Sequence, residues 1–157
     1  MNTHHPFSRS YNRMRILIAD VEPENGILTD KMLGMLGYFS ICTVDSFDDL
    51  LTLTHYTPPI YDRFNLLIVH ADLVQRAGVD VSRFCRNNSR LRHVLIHGDK
   101  RIAQREATLC ALPHRQVRAI ETLDYEQLEA FMAVIDPDAC RPLRFPTLDH
   151  RYVQAHR

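Results

Sequence analysis

Asn65-Leu66-Leu67-Ile68-Val69-His70 is a continuous apolar run that stops abruptly at a polar residue. That is the form of a strand buried on both faces of a parallel sheet, where no position needs to alternate toward water. Arg15-Ile16-Leu17-Ile18-Ala19-Asp20-Val21-Glu22-Pro23 repeats the shape, and its proline suits the first turn of a following helix. In an open parallel α/β sheet the carboxyl ends of the strands gather the ligand chemistry. Asp20 and His70 are therefore the first positions to weigh.

Outward from these two runs the chain alternates between strand and helix patterns. Ile27, Leu28, Met32, Leu33, Met35 and Leu36 recur at helical spacing, and Gly37 supplies a left-handed cap. Residues 40–44 read as a second strand. Ser46, with Asp49 three positions on, reads as the cap of a helix through Leu50, Leu51 and Leu53, stopped by Pro58-Pro59. Beyond the third strand, residues 79–86 read as a helix and 93–96 as a fourth strand. Residues 100–112 read as a helix with Ile102, Leu109 and Leu112 inward and its basic residues outward. Residues 117–120 give a fifth strand, and Asp124 caps a helix with Leu128, Phe131, Met132 and Ile135 on one face. Five βα units with short loops make a five-stranded parallel sheet with helices on both faces. Residues 1–13 read as a flexible, mildly basic N-terminal arm, 14–135 as the folded domain, and 136–157 as an extended or disordered C-terminal tail.

At 157 residues the chain holds one ordinary domain. Acids and bases balance at 19 each, so no global field points to nucleic acid or membrane. Their distribution is uneven: between residues 20 and 72 nine acids face only Lys31 and Arg63. From Arg83 to Arg118 the sign reverses, nine bases facing only Asp99 and Glu106. Such a polarised surface can steer a partner or a second copy. Cys42, Cys85, Cys110 and Cys140 are scattered, with no metal or redox spacing, and read as reduced thiols. The start shows no secretory leader, and no apolar stretch approaches the ~20 residues of a membrane span. A cytoplasmic protein is expected. Nucleic-acid binding ranks last, because a helix-turn-helix, interleaved aromatics and net basic charge are all missing.

The pattern strand, Asp20, Glu22-Pro23, helix, Leu36-Gly37-Tyr38, together with the strand ending at His70, resembles the receiver domain of bacterial response regulators over about residues 14–135. The resemblance implies a flavodoxin-like (βα)5 fold with strand order 2-1-3-4-5. It also implies a phosphorylation pocket, with an acidic pair ending the first strand and a phosphoryl-accepting aspartate ending the third. Here the pair is Asp20-Val21, with Glu22 beside it, and the acceptor position holds His70. His97 takes the place of the family's small hydroxyl residue, Glu121 that of its lysine, Thr122 that of a proline and Arg118 that of the switch aromatic. Valine cannot bind a metal, and magnesium needs hard oxygen ligands for phosphoryl transfer. The resemblance thus implies a degenerate receiver, without catalysis or an obligatory cofactor.

Three readings of the altered pocket compete. His70 and His97 are neutral filler, hydrogen-bonded to Asp20 or to loop carbonyls. Alternatively Asp20, His70 and His97 converge as a metal site helped by Asp72 or Asp99, two imidazoles and a carboxylate being able to hold zinc. The third is phosphorylation of His70, or a pH switch. A second surface also stands out. Lys100, Arg101 and Arg105 on the fourth helix, Arg115 and Arg118 around the fifth strand, and Glu126 near Glu121, Asp124 and Glu129 fall on the helix-strand-helix face that many receivers use for contacts. A two-fold dimer needs such self-complementarity. The expected function is a stand-alone, phosphorylation-independent signalling protein that acts by binding a protein partner or by homodimerisation. The alternative is a sensor of metal or ligand in the altered pocket.

Overall fold

A computed structural model describes residues 14–55, 64–88 and 90–140. The N-terminal arm, Pro58-Pro59, Arg63 and the tail beyond residue 140 lie outside the described residues. Six strands form one sheet in the order β2-β1-β3-β4-β6-β5. β1 (Ile16–Ala19), β2 (Ile41–Val44), β3 (Leu66–His70), β4 (His93–His97) and β6 (Arg115–Ile120) run parallel, in the order expected for the five strands read from the sequence. Ile16, Leu17, Ile18 and Leu66 to Val69 are all buried, as a doubly covered parallel sheet requires.

The expected five-stranded, all-parallel sheet is corrected at one edge. β5 (Thr108–Leu112) pairs antiparallel with β6, and Pro113-His114 make the turn between them. The helix expected over residues 100–112 therefore stops at Arg105. Glu106 leaves helical geometry with ψ 66, and the β-branched Thr108 starts a strand instead. Leu109 and Cys110 still pack on the core, but Leu112, expected inward, is 47 % exposed, so the helical period read over this segment does not hold.

Seven helices cover the sheet among the described residues: α1 (Pro23–Met35), α2 (Phe47–Thr54), α3 (Ala71–Gln75), α4 (Val81–Asn87), α5 (Lys100–Arg105), α6 (Tyr125–Ile135) and α7 (Pro137–Cys140). α7 is a helical turn where an extended tail was expected to begin, proline being at ease in a first turn. Ser46, Asp80, Asp99 and Asp124 each cap a helix by accepting from backbone N–H groups. α1 ends in a Schellman turn: Gly37 at φ 93 donates to Gly34 O, and Tyr38 N donates to Leu33 O at 2.9 Å.

Strand alternation divides the core in two. Leu17, Leu67, Val69, Val94, Ile96, Val117 and Ala119 face Leu50, Val74, Val81 and Cys85, with Ile102 of α5 packed against them. Ile16, Ile18, Ile68 and Leu95 face Leu33 of α1 and Leu128, Phe131 and Met132 of α6. The apolar face read for α1 is wider than its buried stripe. Leu33 is buried, whereas Ile27, Leu28 and Met35 are exposed. Among the described residues, no helix is long and apolar enough to cross a membrane.

Candidate functional site

The carboxyl ends of β1, β3 and β4 bring Asp20, His70 and His97 together, because β1 and β3 are in register to Val69 and His70 sits opposite His97. Asp20 is 2 % exposed. Its Oδ1 accepts from Glu22 N at 2.9 Å, a local turn that holds the start of α1. Its Oδ2 has no hydrogen-bond partner among the described residues, and its neighbour is His97 Nε2 at 3.9 Å, beyond hydrogen-bond reach. Burial, aided by the nearby His70, pushes the His97 pKa down to about 4. His97 is thus neutral at pH 7, and its approach to Asp20 is not an ion pair.

His70 does a specific local task. It caps α3, its Nδ1 accepting from Asp72 N at 3.1 Å, which puts the ring hydrogen of the neutral form on Nε2. Its ring meets His97 edge to face, centroids 5.0 Å apart and planes at 80°. Gly98, at φ 89, lies under that ring: a Cβ there would collide with His70 Nε2 and sit 2.5 Å from Cε1. Gly98 is a site residue that the strand-end motifs do not reveal. The signal that marks it is a glycine directly after a strand and before a capping aspartate, a position that suits close approach.

Other pocket candidates scatter. Val21 is half-buried against the core and lines a different depression, with Phe47, Leu73 and Arg76. Glu22 is exposed and makes no side-chain cap for α1. Glu121 is exposed; its carbonyl accepts from Gly98 N at 3.1 Å, and it lines a cleft of about 380 Å³ with His70, His97, Asn25, Thr29 and Leu123. Thr29, Asn25 and Leu123 were not singled out in the sequence, since nothing in their local pattern separates a cleft wall from a helix surface. Among the described residues, no group of three or more His, Cys, Asp or Glu is placed to hold a metal ion. Asp72 offers its amide to His70, and Asp99 caps α5 while accepting from Gln75 Nε2 at 2.5 Å.

The basic and acidic residues assigned to one contact face lie on two sides of the sheet. Alternation along β6 sends Arg115 to the side of Val117, Ala119 and α5, and Arg118 to the side of Ile120 and α6. Lys100, Arg101 and Arg105 accompany Arg115; Glu126 accompanies Arg118. Arg115 is committed inward: its Nη2 donates to Cys85 O at 2.8 Å and to Asn88 O at 3.4 Å, closing the C-terminal end of α4. Arg118 Nη2 donates to Gln116 Oε1 at 3.2 Å. β5 forms the edge of the sheet beyond β6, between the two sides.

No protein-family model and no curated protein matches the sequence. Solved structures do match the fold. The signal receiver domain of a two-component signal transduction histidine kinase from Clostridium thermocellum superposes with a TM-score of 0.57 at 17 % identity, over 78 % of this chain and 98 % of that one. A sensor protein from Polaromonas sp. JS666 superposes with a TM-score of 0.55 at 22 % identity, over 80 % of this chain and 98 % of that one. At such identities the likeness is one of fold: a receiver-like α/β architecture that carries a sixth strand here.

Proposed function

We propose that this chain is a degenerate receiver-like signalling module that works by protein contact and without aspartyl phosphorylation. One observation carries the reading. At the strand ends Asp20 is a lone buried carboxylate beside a neutral imidazole, and His70 stands at the end of β3 with Nδ1 occupied by the Asp72 amide. Magnesium takes near-octahedral oxygen ligation, and an imidazole edge in place of a second carboxylate does not supply it. The receiver-like fold supports the signalling class. Its partner in this reading is another protein of a bacterial signalling pathway, or a second copy meeting through the side that bears Arg118 and Glu126. Incubation with acetyl phosphate and magnesium, followed by intact-mass measurement, is expected to leave the mass unchanged. A phosphoryl adduct mapped to Asp20 or Asp72 refutes the reading.

A second reading, a ligand-responsive sensor, draws on the cleft beside His70 and His97, into which both rings and Glu121 open. Zinc titration of the purified protein separates the two. A rise in melting temperature that His70→Asn abolishes favours the sensor, and an unchanged melt favours the contact module.

A further inference from the structure

A depression of about 790 Å³ lies away from the histidine pair, between α4 and α5. Arg83 and Arg86 come from one wall, Arg101 and Arg105 from the other, and Val79 and Ile102 give an apolar floor. Two links tie its walls. Gln75, the last residue of α3, bonds Asp99, the cap of α5, and Arg86 bonds Glu106 at 3.0 Å near the C-terminal ends of α4 and α5.

The acids of this groove are already engaged. Asp80 accepts from Arg83 N, Asp99 accepts from Arg101 N, Ile102 N and Gln75, and Glu106 holds Arg86. The guanidiniums of Arg83 and Arg105 make no hydrogen bond or ion pair among the described residues, and Arg101 meets only the charge of Asp99. Three exposed cations thus line one concave, partly apolar depression.

We infer that this groove docks an acidic peptide segment of a partner protein. The proposal rests on the protein-contact reading above and names the chemistry of the partner. Arginine forks recognise carboxylates, and half-buried valine and isoleucine take apolar side chains between them. Asp80, Asp99 and Glu106 lie in the same lining as the arginines and repel a continuous run of phosphates, which disfavours denser polyanions. The lining also lacks an aromatic ring on which a nucleobase would stack.

The test titrates the full chain into a fluorescein-labelled peptide of alternating Glu and Ala and follows anisotropy. A Lys-Ala peptide, inorganic triphosphate and duplex DNA serve as competing probes. Binding of the acidic peptide, weakened by salt and reduced at least about tenfold by Arg83→Glu with Arg105→Glu, is the expected result. Arg118→Glu, on the other side of the sheet, is expected to retain wild-type affinity. Melting curves check the fold, and Arg83→Gln with Arg105→Gln replaces the reversal if it unfolds. Absence of peptide binding at low salt, equal binding by the double variant, or preferential binding of triphosphate or DNA overturns the assignment. A phosphoryl adduct in the phosphodonor experiment refutes the silent pocket without touching this titration, so the two readings fail separately.

Discussion

Gly98→Ala is the sharpest probe of the strand-end geometry, because two separable costs meet at one residue. The first is backbone strain: φ is 89, and a side chain in left-handed geometry costs about 1–2 kcal/mol. Loss of chain entropy in the unfolded state returns about 0.5 kcal/mol of that. The second is the collision with the His70 ring. To make room the ring must leave Asp72 N, a helix cap worth about 1 kcal/mol. It must also give up the edge contact with His97, worth about 1 kcal/mol. Gly98→Ala is therefore expected to destabilise by about 3 kcal/mol, the sum of those parts.

Gly78 isolates the first cost. It has φ 77, and a Cβ added there would meet nothing within 4 Å, so Gly78→Ala should cost only about 1 kcal/mol. The two variants are compared by urea denaturation, reading midpoints at constant slope. A His70→Ala background completes a double-mutant cycle in which Gly98→Ala should fall to about 1 kcal/mol, a coupling of about 2 kcal/mol. If Gly98→Ala costs no more than Gly78→Ala, or costs the same with and without the imidazole, the His70 ring is not seated over Gly98. The strand-end arrangement of Asp20, His70 and His97 is then wrong.

Acid should destabilise the protein in a defined window. His97 and His93 both have folded pKa values pushed down to about 4, chiefly by burial, against 6.5 unfolded. The unfolded chain therefore binds protons first, so stability is full above pH 6.5 and is lost as pH falls toward about 4. Each contributes on the order of 3 kcal/mol. His97→Gln should flatten the dependence of the urea midpoint on pH across that window, and an unchanged slope contradicts a buried neutral His97. Arg115→Ala should cost about 2 kcal/mol, because Cys85 O and Asn88 O lose a charged donor at the end of α4. A thermal melt equal to wild type would show that these bonds are dispensable.

The parallel core was legible because its signals are local and redundant. An apolar run as long as a strand, a cap and a glycine stop recur in register, and burial leaves one reading for residues 66–69. The edge was not. Before residues 100–112 Asp99 starts a helix, Ile102 faces the core, and Leu109, seven residues on, continues the same inward direction at the helical period. What decides against helix is tertiary: β6 pairs with β4 along one edge, and the backbone of Thr108 to Leu112 satisfies its hydrogen bonds on the other, which would else be free. A single sequence does not display that free edge.

Convergence of Asp20, His70 and His97 followed from strand order alone, because adjacent parallel strands bring equivalent ends together. The chemistry of the convergence depends on finer matters. Whether His70 is a ligand or a cap turns on one Nδ1 contact with a backbone amide two residues on, and whether His97 is charged turns on how deeply it is buried. The same distinction applies to the arginines. Their clustering in sequence told of a polarised surface, but Arg115 spends its charge on carbonyls inside the protein while Arg83 and Arg105 present theirs to the α4–α5 groove. Only a side chain with its hydrogen-bonding capacity unspent can recognise something else. On that criterion Arg83 and Arg105, and not Arg115, are the arginines whose charge is left for something outside the fold.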